Sequence, residues 1–331
     1  MSPRIINIAM KAILVSQTGG PDVMTLADVP VPQPKPNEVL VKVEAIGLNF
    51  IDVYFREGRY PAQLPFIPGR EIAGTVTAIG SEVKDIKVGD RVAQTGVMGS
   101  YAEYQAVPEA QLVKLPETIS FETAAAVMLQ GGTVHYLVRS TFPLKSTDTL
   151  LLHAAAGGVG LLLTQFAKHI GAHVIGTVGS EEKAKLAREA GADDVILYDK
   201  QDFVAEVKRI TNGRGVDVVY DGVGKTTFEG SLQCLRPRGY MVLFGGASGA
   251  VPPFDLIRLS TMGSLFVTRP TLNHYIATRE ELVWRMSEIF NLIMSRELKV
   301  HIGKKYKLED APQAHRDLEG RKTTGKVLLI P

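Results

Sequence analysis

The stretch LLHAAAGGVG, residues Leu151–Gly160, lies near the middle of this 331-residue chain and decides its fold. A short apolar run leads into the glycines Gly157, Gly158 and Gly160, and the amphipathic segment GLLLTQFAKHIG continues from the last of them. This order is typical of a strand, a tight turn and a helix whose first N–H groups bind a phosphate. The alternative is a glycine-rich turn without a ligand, as found in many α/β proteins.

The segments that follow favour the phosphate-binding interpretation. Strand-like and helix-like segments alternate through AHVIGTVGS, SEEKAKLAREAGA, DVILY, DFVAEVKRITNG, VDVVYDGVG, TFEGSLQCLRPRG and YMVLFGG. Such alternation predicts βαβ units and a doubly wound parallel sheet, a Rossmann domain. The glycine turn follows the first strand, where the fingerprint G-x-G-x-x-G belongs, with Ala155 in place of the first glycine. The sequence therefore predicts a dinucleotide site that includes Gly157, Gly158 and Val159.

The flanking segments predict a second domain rich in short strands. VLVKVEA, EIAGTVTAIG and DRVAQTG are separated by turns rich in proline and glycine, which favours a β-barrel-like domain. Ser120 is the predicted N-cap of a helix over SFETAAAVML, and the chain closes with a helix over EELVWRMSEIFNLIMSREL and the strand GKVLLIP. We expect residues 1–132 and 272–331 to form this domain and residues 133–271 to be inserted in it.

Composition limits the class of protein. The hydrophobic share is 45%, the charged share is 22% and the net charge is +2, which does not indicate a broad nucleic-acid-binding face. Cys234 is the single cysteine, so an intramolecular disulfide and a cysteine metal cluster are excluded, and we expect a cytoplasmic protein. MSPRIINIAMKAILV shows no targeting signal and is interpreted as a short tail leading into the first strand.

The end of the second predicted strand bears on the choice of cofactor. NAD-binding chains place an acidic residue there, roughly 20 residues after the fingerprint, on the ribose 2′-hydroxyl. Here the strand ends in Gly179-Ser180 without an acid, and Lys183 and Tyr198 lie close by in the predicted fold. These side chains suit a 2′-phosphate, so NADPH is predicted. The alternative is that Lys183 is a solvated helix residue and Tyr198 a surface residue.

Motifs from both domains carry a resemblance to a known family. GLNFIDVYFREGRYP, PGREIAGTVTAIG, GDRVA, AAAGGVG, GTVGSEEK and GSLFVTRPTL occur in this order. Together they resemble the medium-chain dehydrogenase/reductase superfamily, and within it the zinc-independent NADPH:quinone oxidoreductases of the ζ-crystallin type. The resemblance implies an α/β protein with a GroES-like catalytic domain, an inserted Rossmann domain and a site in the interdomain cleft. It also implies a homodimer.

The resemblance assigns roles to residues by position. It implies that Asn49 and Tyr54 contact the nicotinamide end of the cofactor and that Tyr60 lines the substrate pocket; the alternative for both tyrosines is packing. Thr133 and Tyr136 are expected to begin a helix that crosses between the domains. The backbones of two segments are expected to contact the cofactor: Phe244–Ser248, which includes Gly246, and Phe266–Pro270, which includes Thr268. Arg321 is expected to contact the adenosine phosphate, and the alternative for Arg321 is a solvated residue.

One departure from the zinc-dependent members of the superfamily is informative. Zinc alcohol dehydrogenases carry a histidine where this chain has Arg70, directly before Glu71, and Arg70 and Glu71 are a candidate ion pair. A catalytic zinc ion needs three protein ligands and one open position, and the sequence does not supply them. His153, before the glycine turn, is predicted to be a packed strand-end residue rather than an acid. The prediction is an enzyme without metal.

The absence of zinc restricts the predicted chemistry. A Lewis acid normally stabilises the alkoxide of an alcohol, whereas a quinone or an enone delocalises the charge of an added hydride. NADPH-dependent quinone reduction is the leading hypothesis, and reduction of enone or alkenal double bonds by the same fold is the first alternative. A third is an NADPH-binding sensor, crystallin-type or RNA-associated protein with little turnover. Against RNA binding, basic residues are not interleaved with aromatic residues.

Overall fold

The computed structural model describes residues 9–331, so the predicted N-terminal tail lies outside the described residues. Strands account for much of this range, and several are only three to five residues long. In chain order they are β1 (Ala9–Val15), β2 (Met24–Pro30), β3 (Glu38–Leu48), β4 (Glu71–Ile79), β5 (Arg91–Thr95), β6 (Tyr104–Pro108), β7 (Leu112–Lys114), β8 (Thr149–Leu152), β9 (His173–Val178), β10 (Asp194–Leu197), β11 (Val216–Asp221), β12 (Leu235–Leu243), β13 (Phe266–Thr268), β14 (Ile302–Lys307) and β15 (Lys326–Ile330).

The helices are concentrated in the middle of the chain, where they alternate with strands. They are α1 (Phe50–Arg56), α2 (Phe121–Tyr136), α3 (Gly158–Ile170), α4 (Glu181–Glu189), α5 (Phe203–Ile210), α6 (Phe228–Gln233), α7 (Ile257–Thr261), α8 (Leu272–Tyr275), α9 (Arg279–Met294) and α10 (Ala311–Glu319). A π-helical turn over Leu137–Thr141 follows α2, and 3₁₀ turns cover Pro21–Val23, Glu109–Gln111 and Leu308–Asp310. Among the described residues, none of these helices is both long and apolar enough to cross a membrane.

The chain divides into two compact units. The first contains the described residues up to Leu129 together with Ile276–Phe290 and Ile302–Pro331, and the second contains Gln130–Tyr275 and Asn291–His301. The sequence assigned residues 291–301 to the first domain. They lie in the second unit because the Gln165 side chain on α3 exchanges two hydrogen bonds with the backbone of Lys299, at 2.7 and 3.0 Å.

The first unit is built on strands, as predicted. Its larger sheet has the order β14-β15-β3-β4-β5-β7, with β6 also pairing with β3, and β1 and β2 form a separate hairpin. The long strand β3 pairs with three neighbours because its apolar side chains, including Val39, Val41 and Ile46, are buried in the core. The sheet thereby fixes the start of α1, which follows β3 directly.

The second unit contains a six-stranded parallel sheet in the order β10-β9-β8-β11-β12-β13. This arrangement confirms the predicted doubly wound parallel sheet. Strand order reverses at β8, whose two neighbours are the next strand in sequence and a later one. Ligands of open α/β sheets bind outside the carboxyl ends of the strands at such a switch point. The glycine turn after β8 occupies this position.

Two predicted element boundaries were wrong. Thr133 and Tyr136 do not begin a helix, because they lie in the last turn of α2, which starts after the Ser120 cap and continues through buried Gly131 and Gly132. Residues 235–239, predicted as the end of a helix, instead begin β12. Pro237 lacks the N–H group that a helix needs, and Leu235 pairs with Val216 instead.

Candidate functional site

The turn between β8 and α3 has the features of an anion site. Gly157 is the N-cap of α3 and provides no side-chain acceptor for the first N–H groups, and the first turn contains no acidic residue. Those N–H groups and the positive end of the helix dipole are therefore available to a phosphate. A side chain at Gly160 would collide with the Ala154 carbonyl oxygen and lie 2.7 Å from the Ala155 carbonyl carbon. The turn packs closely against the helix because this residue has no Cβ.

The predicted 2′-phosphate residues are brought together after β9 and β10. Ser180 is the N-cap of α4, and its Oγ accepts the Lys183 N–H at 3.3 Å, which leaves the hydroxyl hydrogen to donate elsewhere. The Tyr198 hydroxyl lies 2.6 Å from where a Cβ would stand at Gly179. The absence of a side chain at Gly179 thus lets the Tyr198 ring approach the backbone beside Ser180, and Lys183 lies in the first turn of the helix that Ser180 caps.

The loop Phe244–Ser248 is held by the neighbouring turn after β11. The Ser248 hydroxyl donates to the Val223 carbonyl at 2.8 Å and accepts the Thr226 N–H at 3.1 Å. The Gly246 Cα lies 3.0 Å from the Cβ position of Gly224, so the two turns are in direct contact. Because the Ser248 side chain is used within this pair of turns, the loop offers a cofactor mainly its backbone.

Other predicted cofactor residues in the second unit make aromatic contacts. Phe266 stacks on Tyr240, with ring centroids 4.5 Å apart, and β13, which also contains Thr268, is the edge strand of the sheet. Tyr136 is buried and stacks on Tyr275 at 4.3 Å, and Thr133 is buried one turn earlier. The roles of these residues toward a cofactor remain predictions.

In the first unit, Asn49 belongs to a buried polar cluster that the sequence did not reveal. Its Nδ2 donates to the Gly47 carbonyl at 3.1 Å and to Glu71 Oε2 at 2.7 Å, and its Oδ1 accepts from Lys326 Nζ at 2.8 Å. Lys326 Nζ also lies 2.5 Å from Glu71 Oε2, and Glu71 Oε1 accepts the Leu129 N–H. Burial lowers the pKa of Lys326, an effect that the Glu71 carboxylate opposes. The cluster fixes the orientation of the Asn49 amide.

Tyr54 and Tyr60 contact each other near the same helix. Their rings meet edge to face at 5.4 Å, and Arg59 lies over the Tyr54 ring at 5.4 Å. This geometry is compatible with either packing or substrate contact, so their catalytic roles stay predictions. Arg321 is exposed after α10 in a left-handed conformation, with φ of 57°, and its contact with the adenosine phosphate stays a prediction.

Arg70 and Glu71 have different partners in the structure. The Arg70 guanidinium donates to the Gly96 carbonyl from Nε at 3.0 Å and from Nη2 at 2.5 Å. Glu71 pairs instead with Lys326. Lys326 was missed by the sequence analysis, although a lysine at the head of the otherwise apolar strand KVLLI was the available signal. Within residues 9–331, no group of three histidine, cysteine or acidic side chains could hold a metal ion.

A second buried network supports the start of α1. Asp52 Oδ2 accepts the Asn49 N–H at 2.9 Å and the Tyr101 hydroxyl at 3.1 Å, and that hydroxyl lies 3.0 Å from His315 Nε2. Arg56 Nη1 lies 2.9 Å from His315 Nδ1. Because a guanidinium can only donate, Nδ1 accepts and Nε2–H donates to Tyr101. Burial and the Arg56 charge lower the pKa of His315 to about 3, and burial raises the pKa of Asp52 to about 6.

The raised pKa of Asp52 predicts a pH-dependent difference in stability. The folded chain binds the Asp52 proton more tightly than the unfolded chain, whose pKa is 3.8, so ionised Asp52 destabilises the fold above pH 6. Asp52→Asn keeps an oxygen acceptor and removes this cost, which for two pKa units is about 2–3 kcal/mol. We expect the variant to exceed the wild type in free energy of unfolding at pH 8, with the difference shrinking towards pH 4.

Urea unfolding of both proteins between pH 4 and pH 8 measures this difference. Asp199→Asn, in the exposed segment after β10, serves as the control and should change the free energy of unfolding by less than about 0.5 kcal/mol. A stability difference for Asp52→Asn that stays constant across this range would contradict the assignment.

Sequence profiles of two domain families match the two parts of the chain. Residues 35–117 match the alcohol dehydrogenase GroES-like domain, and residues 158–288 match the zinc-binding dehydrogenase domain. The first match falls in the strand-rich unit, and the second contains α3 and most of the parallel sheet. The domain types predicted from the motifs are confirmed.

Relatives of known name and structure align along nearly the whole chain. A quinone oxidoreductase of Pseudomonas aeruginosa is 49% identical over 97% of this chain and 99% of its own length. The crystal structure of Escherichia coli quinone oxidoreductase complexed with NADPH is 48% identical in sequence and has a TM-score of 0.95. This alignment covers 97% of this chain and 100% of that chain. A 2-haloacrylate reductase of Burkholderia sp. is 40% identical over 97% of this chain and 98% of its own length.

Proposed function

This chain belongs to the quinone oxidoreductase family of the medium-chain dehydrogenase/reductase superfamily, and we propose from that premise that it transfers hydride from NADPH to quinones without zinc. The enzyme is an NADPH:quinone oxidoreductase, and bound NADPH supplies the hydride from nicotinamide C4. The observation that carries this proposal is the uncapped, acid-free helix start of α3 at the switch point of the parallel sheet.

Most of the residues that we assign to the cofactor lie in the second unit, and Arg321 lies in the first. We assign the N–H groups at Gly158 and Val159 to the pyrophosphate, because the helix start is positive and lacks a competing acceptor. Ser180, Lys183 and Tyr198 are assigned to the 2′-phosphate, since β9 ends without an acidic residue. The loop after β12 and the strand β13 contribute backbone groups towards the nicotinamide end, and Arg321 is assigned to the adenosine phosphate.

The first unit provides the residues that orient the reacting groups. Asn49 is held by Glu71 and Lys326, so its backbone and amide form a rigid edge for the nicotinamide. Tyr54 and Tyr60 offer two aromatic rings in contact, which suit the flat, apolar face of a quinone. Their role is to position the acceptor and to exclude water.

The proposal of a zinc-independent reaction rests on the bonds of two residues. Both Glu71 carboxylate oxygens already accept hydrogen bonds, and one of them faces the Lys326 ammonium. Arg70 stands where the zinc-dependent members have a histidine, and its guanidinium binds the Gly96 carbonyl. A quinone needs no Lewis acid, because the charge delivered with the hydride delocalises onto its oxygens.

A second candidate function is reduction of an activated carbon–carbon double bond. The relative named 2-haloacrylate reductase, 40% identical over nearly the whole chain, favours this alternative. An enone or alkenal would use the same cofactor residues, so the acceptor pocket alone separates the two reactions. A binding protein with little turnover, of the sensor, crystallin or RNA-associated kind, is the third candidate.

The test follows NADPH absorbance at 340 nm with purified protein and 1,4-benzoquinone, 1,2-naphthoquinone or a simple enone, with NADH as the cofactor control. We expect rapid consumption of NADPH with the quinones and at least about tenfold lower kcat/KM with NADH, a difference of about 1.4 kcal/mol. Turnover of the enone alone would move the chain to the double-bond reductases. Binding of NADPH without consumption would favour the third candidate.

We further propose that the protein forms a homodimer through the edge strand β13. The outer edge of β13 has no partner strand within the described chain, and Phe266 is 49% exposed. Leu256, in the segment leading into α7, is 73% exposed and adds apolar surface to the same unit. A second copy would pair the edge strands across a two-fold axis. A cytoplasmic location is proposed because the free thiol of Cys234 is buried and unpaired with another cysteine.

A further inference from the structure

Four buried polar side chains form a continuous series of hydrogen bonds beneath the carboxyl edge of the parallel sheet. His153 Nδ1 lies 2.9 Å from Thr177 Oγ1, and His153 Nε2 lies 2.9 Å from Ser231 Oγ. Ser231 Oγ in turn donates to Asp221 Oδ2 at 3.2 Å. All four residues are buried, with at most 3% of any of them exposed. None of them was assigned a function by the sequence or by the proposed mechanism.

The hydrogen positions in this series follow from Asp221. Its carboxylate accepts the Ser231 hydroxyl hydrogen, so the Ser231 oxygen accepts from His153 Nε2–H. His153 Nδ1 then carries a lone pair that accepts the Thr177 hydroxyl hydrogen. Burial lowers the pKa of His153, against the opposing charge of Asp221, which favours the neutral imidazole that this arrangement needs. The hydrogen bonds therefore run in one direction from Thr177 to Asp221.

Each end of this series of hydrogen bonds holds a different segment of the proposed cofactor site. Thr177 lies in β9, three residues before Ser180 at the 2′-phosphate corner. Asp221 ends β11 and fixes the following turn by accepting the N–H groups of Val223 and Gly224 at 2.7 and 3.0 Å. That turn holds the Phe244–Ser248 loop through the Ser248 hydroxyl. His153 itself directly follows the last residue of β8 and precedes the glycine turn.

We propose that His153 is a positioning residue for NADPH, which fixes the glycine turn relative to the 2′-phosphate corner and to the Phe244–Ser248 loop. The inference rests on the proposed function, because it takes these three segments as the cofactor site. The imidazole can perform this role because it donates at one nitrogen and accepts at the other, on opposite sides of the ring. Its ring also packs edge to face on Phe203 at 5.0 Å, which fixes the ring plane.

The experiment compares the wild type with His153→Leu and His153→Gln. Leucine fills the space but leaves the Thr177 and Ser231 hydroxyls without their partner, whereas the glutamine amide supplies one donor and one acceptor. We expect His153→Leu to raise the Kd for NADPH, and for 2′,5′-ADP as a probe of the adenosine end, by about tenfold. We expect His153→Gln to stay within about threefold of wild type, and kcat at saturating NADPH within about twofold, because His153 touches no reacting group.

The controls separate positioning from general stability. His169→Leu alters another histidine on the neighbouring helix α3, which pairs with Glu297, and should leave both Kd values unchanged. All binding is measured below the unfolding transition of each variant. If His153→Leu does not fold, Ser231→Ala carries the test: it removes the acceptor of Nε2–H and the hydroxyl that donates to Asp221, which breaks the same series of hydrogen bonds, and the Kd for NADPH should rise about threefold or more.

The outcomes of this experiment separate failure of the positioning role from failure of the proposed function. A folded His153→Leu protein, or Ser231→Ala in its place, that binds NADPH with the wild-type Kd would overturn the positioning role and leave the proposed function intact. A wild-type protein that does not bind NADPH would overturn the proposed function itself. Equal loss of affinity in the leucine and glutamine variants would also count against the positioning role, because the hydrogen bonds would then not matter.

Discussion

Replacement of Lys326 by methionine should lower the free energy of unfolding by about 3–5 kcal/mol, because it leaves the Glu71 carboxylate buried without its counter-ion. Both side chains are essentially inaccessible, and Lys326 Nζ lies 2.5 Å from Glu71 Oε2 and 2.8 Å from Asn49 Oδ1. Methionine has a similar length, so the loss reflects charge and hydrogen bonding rather than a cavity. Equilibrium urea unfolding measures the change.

Two further variants identify the origin of this loss. Lys305→Met removes another lysine–glutamate pair of the first unit, but that pair with Glu122 is about half exposed and should contribute less than about 1 kcal/mol. The double variant Glu71→Gln/Lys326→Met removes both charges, and we expect it to recover much of the stability lost in the single variant. A Lys326→Met protein as stable as Lys305→Met would show that the buried pair does not support the fold.

The same cluster connects stability with the reaction. Asn49 donates to Glu71 and accepts from Lys326, so removal of the lysine releases the amide from a fixed orientation. If Asn49 orients the nicotinamide, the folded Lys326→Met enzyme should lose kcat more than it loses affinity for NADPH. The buried Glu71–Lys326 ion pair thereby holds the Asn49 amide in place.

The parts of the fold that the sequence predicted depend on local patterns. Apolar β3 and the alternation of strands and helices from β8 to β12 are each determined largely within a short window, and the glycine turn combines a motif with its strand and helix. The same local reasoning failed at Gly131 and Gly132. Glycines usually weaken a helix, but these two are buried in α2, where packing outweighs their low helix propensity.

The polar clusters could not be predicted because their members are distant in sequence. Glu71 and Lys326 are separated by 255 residues, and His153 and Ser231 by 78. Strand register decides which of their side chains meet: pairing of β15 with β3 places Lys326 beside the end of β3, next to Asn49. Local sequence can mark a lysine in an apolar strand as unusual, but its partner is defined only by tertiary structure.

Replacement of Gly160 by alanine should weaken NADPH binding by about 100-fold or more, which is about 2.7 kcal/mol. The new Cβ would collide with the Ala154 carbonyl oxygen and stand 2.7 Å from the carbonyl carbon and oxygen of Ala155. These are backbone atoms, which cannot rotate away, so the turn must shift relative to the start of α3. The N–H groups assigned to the pyrophosphate would then lose their alignment, and charge-assisted hydrogen bonds depend strongly on geometry.

The matched control is Gly20→Ala, where a Cβ would meet no heavy atom within 4 Å and the backbone is not left-handed. We expect this variant to keep the wild-type Kd for NADPH, measured by fluorescence titration, within about twofold. Alanine also has a higher helix propensity than glycine by about 1 kcal/mol, which offsets part of the cost of the clash to the fold. The two effects therefore separate: Gly160→Ala should lose far more affinity than stability. If Gly160→Ala bound NADPH as tightly as Gly20→Ala, the turn after β8 would not be the pyrophosphate site.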